Sequence, residues 1–234
     1  MKEEGATLSE SRRDNEKGCT YPFKTPKEII KYVNITKLYD GLIEELRSYK
    51  SFADSNSESL IFTWIICGLF MGNDFLPPIP SLFIKEDAII NMIKVLDWNF
   101  NKVGGMLYEN GKIQINHIEN LLIILGRQEF KQFCYRYNKE GNYLNHEGGY
   151  IPIKLNNEGY KKRYYLSKML LDIFDYNDKK IVLNMCKYYL LTIQWILNYY
   201  QGNQVSFQWS YPFYYSPFAS DFTDVSILVN NYSY

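Results

Sequence analysis

Gly72-Asn73-Asp74-Phe75-Leu76-Pro77-Pro78-Ile79-Pro80 closes an almost wholly apolar run, Leu60 to Met71, and this junction decides the fold class. A glycine followed by three prolines cannot continue a helix, so the run has a defined end. Ser57, followed by Glu58, supplies a candidate cap at its start. The helix predicted from Ser57 to Met71 is apolar on every side, which places it at the centre of a core. Asp74 then sits just past a buried helix, where a carboxylate is held rigidly. Mg²⁺ sites draw ligands from such fixed positions. An Asn-Asp turn that merely ends the helix has the same spacing, and spacing alone does not separate the two.

Outward from this junction the periodicity stays helical. Leu38, Leu42, Ile43 and Leu46 mark a helix after Asn34; Ile89, Ile93 and Leu96 mark another from near Lys85; Ile118, Leu121, Leu122 and Leu125 mark a fourth. Asn110-Gly111 predicts a tight turn between the last two. Residues 138 to 160 read as a loop rich in Gly and Asn. A fifth helix is expected over 158–174 and a sixth from a cap at Asp178 to a stop at Gly202. Beyond Asn203 the chain is aromatic and proline-rich. The expected class is therefore mainly α, an irregular helical array with a long aromatic and proline-rich C-terminal loop. Residues 1 to 20 have almost nothing to bury and are expected to be a disordered tail, leaving residues 21 to 234 as the domain.

Composition excludes several classes. The 26 basic and 26 acidic side chains cancel, so bulk charge does not argue for nucleic acid or an anionic membrane. Cys19, Cys67, Cys134 and Cys186 lie far apart with no CxxC pair, and His117 and His146 have no ligand neighbour at a recognisable spacing, so a zinc scaffold is excluded. No signal peptide is expected, and the longest apolar stretch is too short to span a bilayer. The expectation is an intracellular protein without a membrane segment, with the cytoplasm as default. Charge is nonetheless uneven: residues 111–168 carry 10 basic and 5 acidic groups, a local excess of five. The densest part, Lys161-Lys162-Arg163-Tyr164-Tyr165 with Lys168, interleaves cations and rings as a phosphate-and-base surface does. The same string also describes a solvated helix face with its tyrosines turned inward.

Four elements carry a resemblance. GNDFLPPIPSLFIKEDAI, residues 72–89, resembles the GNDFLPH-x-PSL-x-IREGAI signature of the Xrn family of 5′-to-3′ exoribonucleases. Gly104-Gly105 with Glu109-Asn110-Gly111 resembles its GGYLTENG element, and KKRYYLSK from Lys161 to Lys168 is similar to its basic double-tyrosine helix. Gln194-Trp195 to Gly202, then Ser206, Trp209 and Tyr211 to Asp221, resemble WVLxYYYQG, PSWxW and YPYHYAPFASD. The elements occur in family order, from about residue 30 to residue 224. Pro78 and Tyr214 stand where the family has histidine, and Phe207 stands for the first tryptophan of PSWxW.

The resemblance implies the helical part of a larger nuclease whose amino-terminal half supplies an α/β core with a cluster of acidic residues that bind divalent metal. Asp74 is then the last acidic member of that cluster and the catalytic and metal residue of this chain. Gly72, Asn73, Pro77, Glu86, Gly104, Gly105 and Asp221 are motif positions. Lys161, Lys162, Arg163, Tyr164 and Lys168 are expected to contact single-stranded RNA, while Phe207, Trp209 and Tyr211 wall the pocket for the 5′ nucleotide. Mg²⁺ is the implied cofactor, bound only in a complete site, because two-metal hydrolysis needs several converging carboxylates. The chain alone is expected to be inactive, with an N-terminal nuclease half, or another protein covering the exposed face, as partner. The alternative is a catalytically inactive remnant that binds RNA or protein.

Overall fold

A computed structural model describes residues 11–13, 20–22, 33–82, 87–140 and 153–230. The chain divides into two units, Met1–Tyr39 and Asp40–Tyr234. In the first, β1 (Ser11–Arg13) pairs antiparallel with β2 (Thr20–Pro22), with Arg12 opposite Tyr21. These strands fall partly within the expected tail. A two-strand ladder is made by backbone hydrogen bonds and needs little apolar surface, so composition gives no sign of it. The rest of residues 1–20 lies outside the described residues.

Helix α1 (Ile35–Arg47) begins where Asn34 Oδ1 accepts from Lys37 N at 3.0 Å, and it buries Ile43 and Leu46. Helix α2 (Ser57–Leu69) buries Leu60, Ile66, Cys67 and Leu69. Its cap is Asn56, whose Oδ1 accepts from Ser59 N at 2.7 Å; Ser57, the expected cap, is the first helical residue. Gly72 follows at φ +90, and a Cβ there would meet Pro78 N at 3.0 Å, so both conformation and space select glycine. Helix α3 (Ala88–Trp98) starts three residues later than Lys85; Lys85 and Glu86 lie outside the described residues.

The short α4 (Phe100–Val103) leads to a hairpin of β3 (Tyr108–Glu109) and β4 (Lys112–Ile113). Its turn is the expected Asn110-Gly111, both at positive φ as the mirror-image hairpin turn requires. Gly104 and Gly105 also lie at positive φ, and a Cβ on Gly104 would stand 2.7 Å from the His117 ring. His117 itself contacts Met106 O at 2.7 Å through Nδ1, a packing role.

Helix α5 (Ile115–Gly126) is as periodicity predicts. Helix α6 (Glu129–Glu140) was not expected. Its strand-like alternation of rings and charges hides a helix that buries Phe133 together with two charged groups, Glu129 and Arg136. Helix α7 (Tyr160–Met169) is shorter than the predicted 158–174, because Leu170 turns left-handed at φ 57 and ends it. Helix α8 (Tyr176–Tyr200) starts two residues before Asp178, capped instead by Asp175, whose side chain accepts from Asn177 N and Asp178 N. A 3₁₀ turn (Ala219–Asp221) and α9 (Ser226–Asn230) end the described chain.

Two clusters form the core. The larger joins residues of α1, α2, α3, α5, α8 and α9; the smaller holds Phe133, Tyr164, Tyr165, Leu171, Val182, Met185 and Phe218. Helix α8 serves both, giving Val182 and Met185 to one and Cys186 through Leu197 to the other. Each fully buried Leu, Ile or Phe contributes roughly 1.5–3 kcal/mol. Among the described residues no helix is long and apolar enough to cross a membrane.

Candidate functional site

The loop carrying Asp74 is fixed from both sides. Asn73 Oδ1 accepts from Phe75 N and Leu76 N, each at 2.8 Å, and Asn73 N donates to Leu76 O at 3.0 Å. This turn holds the Asp74 backbone while its side chain stays exposed. Pro77, Pro78 and Pro80 have no N–H, yet their carbonyls are partnered by side chains from three distant segments. Tyr189 Oη donates to Pro77 O at 3.0 Å, Ser216 Oγ to Pro78 O, and Arg136 Nη1 to Pro80 O at 3.0 Å. Arg136 is 3% exposed and spends its guanidinium on this loop and on the Phe133 ring.

A cavity of about 560 Å³ lies against the loop, with Asp74, Phe75 and Pro78 on one wall and Tyr211, Phe213 and Tyr214 on the other. Phe75 points its ring edge at Trp195, 5.2 Å between centroids, and Trp195 stacks on Tyr199 at 5.3 Å. Phe207 stands edge-on to Tyr199 at 6.3 Å and is 83% exposed. Its loop is pinned where Trp195 Nε1 donates to Ser206 O at 2.9 Å, and Trp209 Nε1 donates to Thr192 Oγ1 at 3.1 Å. Tyr211 is half-buried, donates to Tyr215 O at 3.2 Å, and has its hydroxyl pKa pushed up by burial. Phe207 thus offers an open ring face, while Trp209 and Tyr211 are held by packing and hydrogen bonds.

The basic helix is placed differently from a row of phosphate contacts. Lys161 Nζ pairs with Asp221 Oδ1 at 2.6 Å, and Tyr165 Oη donates to the same carboxylate. Burial, then Asp221, pushes the Tyr165 hydroxyl far up, so it stays a donor. Arg163 donates to the carbonyls of Lys154, Asn157 and Glu158. Tyr164 is 7% exposed and donates to Ser216 O at 3.0 Å, which leaves its ring no free face for a base. Lys168 lies over the Tyr215 ring, and the exposed Lys162 lies over Phe174. The motif aspartate Asp221 is therefore a tie between α7 and the 3₁₀ turn.

Glu129 makes a second tie. It is fully buried and accepts from Tyr160 Oη at 2.6 Å and from both Ser220 N, at 3.3 Å, and Ser220 Oγ. Burial pushes its carboxyl above the ordinary value. Glu119, also buried, accepts from Val225 N and Ser226 N at the start of α9. Neither acid was singled out by sequence; nothing local marks a buried glutamate whose partners lie 31 to 107 residues away. Phe75, Tyr199 and Tyr214 were also passed over as site residues, though all three fall inside the motifs. Cys67 is buried, and its thiol is pushed up to about 12, which leaves it inert as a nucleophile.

Among the described residues no group of three or more His, Cys, Asp or Glu is close enough to hold a metal ion. No described side chain donates to Asp74, whose open carboxylate suits a shared ligand. A family profile described as the Xrn1 helical domain matches residues 54–150 and 138–233. The chain belongs to the Xrn helical-domain family. It is 27% identical over 226 residues to 5'-3' exoribonuclease 1 of Homo sapiens, covering 73% of this chain and 13% of that protein. It is 23% identical over 285 residues to 5'-3' exoribonuclease 2 of Gallus gallus, covering 86% of this chain and 30% of that protein. Over 115 residues, 49% of this chain and 10% of the relative, it is 37% identical to 5'-3' exoribonuclease 2 of Neurospora crassa. The chain thus spans less than a third of the length of these relatives. In this Xrn-type domain the GNDFLP element forms the Asp74 turn, the GG-x₃-EN element packs on His117, and PFASD ties the 3₁₀ turn to Lys161, Tyr165 and Glu129.

Proposed function

We propose that this chain is the helical portion of a 5′-to-3′ exoribonuclease. It gives Asp74 to a divalent-metal site whose other acidic residues lie on an N-terminal nuclease half, and it supplies an aromatic wall for the 5′ nucleotide of single-stranded RNA. One observation carries this reading: the rigid Asp74 loop and the Tyr211–Tyr214 segment face each other across one cavity, with the open Phe207 ring on the neighbouring loop. Mg²⁺ bound in a complete site would supply activation of water and stabilisation of the leaving oxygen.

This chain's own residues position rather than react. The Asn73 turn presents the Asp74 carboxylate, and Phe207 gives a π-face on which a base stacks, without the N–H donor of a tryptophan. Lys162 is left as the open cation of α7 for the RNA backbone. Lys161 and Arg163, bound to Asp221 and to backbone carbonyls, act by holding α7 in place.

The test is degradation of 5′-monophosphorylated RNA with Mg²⁺ by the chain alone and after adding the N-terminal half of a related nuclease. Turnover is expected only in the mixture, and Asp74→Asn should abolish it. Robust turnover by the isolated chain would show that its metal ligands are miscounted. Stable association without turnover would instead favour the second reading, an inactive module that binds RNA or protein, to which the Pro78 and Tyr214 departures from the family's histidines point.

A further inference from the structure

We propose that the turn between α7 and α8 is a second stacking platform for single-stranded RNA, built from Phe174 and Tyr176 and backed by Lys162 and Lys180. The inference rests on RNA being the ligand, as proposed above, but on none of the residues that line the Asp74 cavity. Phe174 and Tyr176 are 70% and 69% exposed, an unfavourable place for two large rings with one residue between them. Each has a lysine ammonium over one face: Lys162 at 4.9 Å from the Phe174 centroid and Lys180 at 4.3 Å from that of Tyr176. A ring covered by a cation on one side keeps its other side for a base, while the ammonium stands within reach of the phosphate that follows. That pairing of stacking face and backbone charge is how single strands are held without sequence preference.

The backbone spaces the rings for this. Asp175 between them is extended, at φ −73 and ψ 140, which sets the Cα atoms of 174 and 176 about 7 Å apart. Successive bases of an extended, unstacked strand need such a separation. The three carboxylates of the turn are spent on its own amides. Asp172 Oδ1 accepts from Phe174 N at 3.1 Å, Asp178 Oδ2 from Asp172 N at 2.7 Å, and Asp175 Oδ1 from Asn177 N at 2.8 Å and Asp178 N at 3.1 Å. They freeze the loop that carries the rings. Leu170, exposed at the end of α7, has no stacking face and serves as the control.

The experiment is fluorescence anisotropy of 3′-labelled decauridylate titrated with the 234-residue chain at 50 and 200 mM KCl, with circular dichroism melts to verify folding. F174A/Y176A should weaken binding more than tenfold, and F174L/Y176L, which keeps apolar bulk without a π-face, should be equally weak. K162Q/K180Q should flatten the salt dependence by about 1.4 log units per log unit, at roughly 0.7 per cation. L170A should bind like the wild type. Affinity within twofold for F174A/Y176A, recovery with leucines, or an equal loss in L170A would overturn the platform, the last two marking an apolar surface for a protein instead. Absence of decauridylate binding by the wild type at 50 mM KCl would overturn it as well. F207A separates the two sites: loss there with an unaffected F174A/Y176A sinks the platform alone, and the reverse sinks the 5′-nucleotide wall alone.

Discussion

Gly126→Ala is expected to destabilise the domain even though alanine is the better helix former. Gly126 ends α5, and a Cβ there would lie 2.5 Å from Ser220 Cα and 2.6 Å from Ser220 N. Carbon atoms pack at 3.5–4.0 Å, so the 3₁₀ turn must retreat by about 1 Å. The obstacle is backbone, which no rotamer change relieves. Overpacking of this kind costs about 1–3 kcal/mol. The same retreat loosens the two hydrogen bonds from Ser220 to the buried Glu129, each worth about 0.5–1.5 kcal/mol. Against this, alanine over glycine returns at most about 1 kcal/mol in a helix. The net is a loss of about 1–5 kcal/mol, or a fall in Tm of roughly 2–20 °C for a domain of this size. Thermal melts followed at 222 nm measure it. A Tm unchanged or raised would refute the close approach of α5 to the 3₁₀ turn.

Three further outcomes follow from the same contacts. Because burial raises the Glu129 carboxyl above its ordinary 4.5, its neutral form is favoured in the fold, and its stabilising contribution is present below 4.5 and lost as pH rises through the raised value. The Tm of E129Q relative to wild type should therefore climb from pH 4 to pH 7; a flat difference would contradict the shift. Phe207→Ala should weaken single-stranded RNA binding by about 1–3 kcal/mol while F207W retains it, read by anisotropy; equal affinities for all three would remove Phe207 from the RNA path. Lys161→Gln should lower Tm through the lost Asp221 pair yet leave the salt dependence of RNA binding unchanged; a flatter slope would return Lys161 to the phosphate contacts.

Helices α1, α3 and α5 were legible from apolar residues at the 3.6-residue period, and α2 and α8 from long runs bounded by cap and stop residues. Helix α6 was not, since Glu129 and Arg136 are buried where polarity predicts exposure, and their partners come from Ser220 and Pro80. Helix α7 was misjudged in length because an exposed leucine, Leu170, takes the left-handed position that sequence rules reserve for Gly or Asn. At the site, Asp74 and its turn could be read from a contiguous string. The duties of Lys161, Arg163 and Tyr164 could not. Their charges and rings read as a binding surface, and only contacts 52 to 60 residues away, or with nearby carbonyls, reveal them as fasteners. Trp195 illustrates the converse: it is buried in α8 as packing, yet its ring also braces Phe75 beside the cavity.

The proline loop after Asp74 borrows its donors from Arg136, Tyr189 and Ser216, positions spread over most of the remaining chain. No amino-terminal piece that ends before Ser216 owns all three. The loop around the aspartate is therefore fully partnered only once the segment carrying Ser216 has folded back onto it. A piece ending before Ser216 would carry the signature string without the hydroxyl that partners Pro78 O.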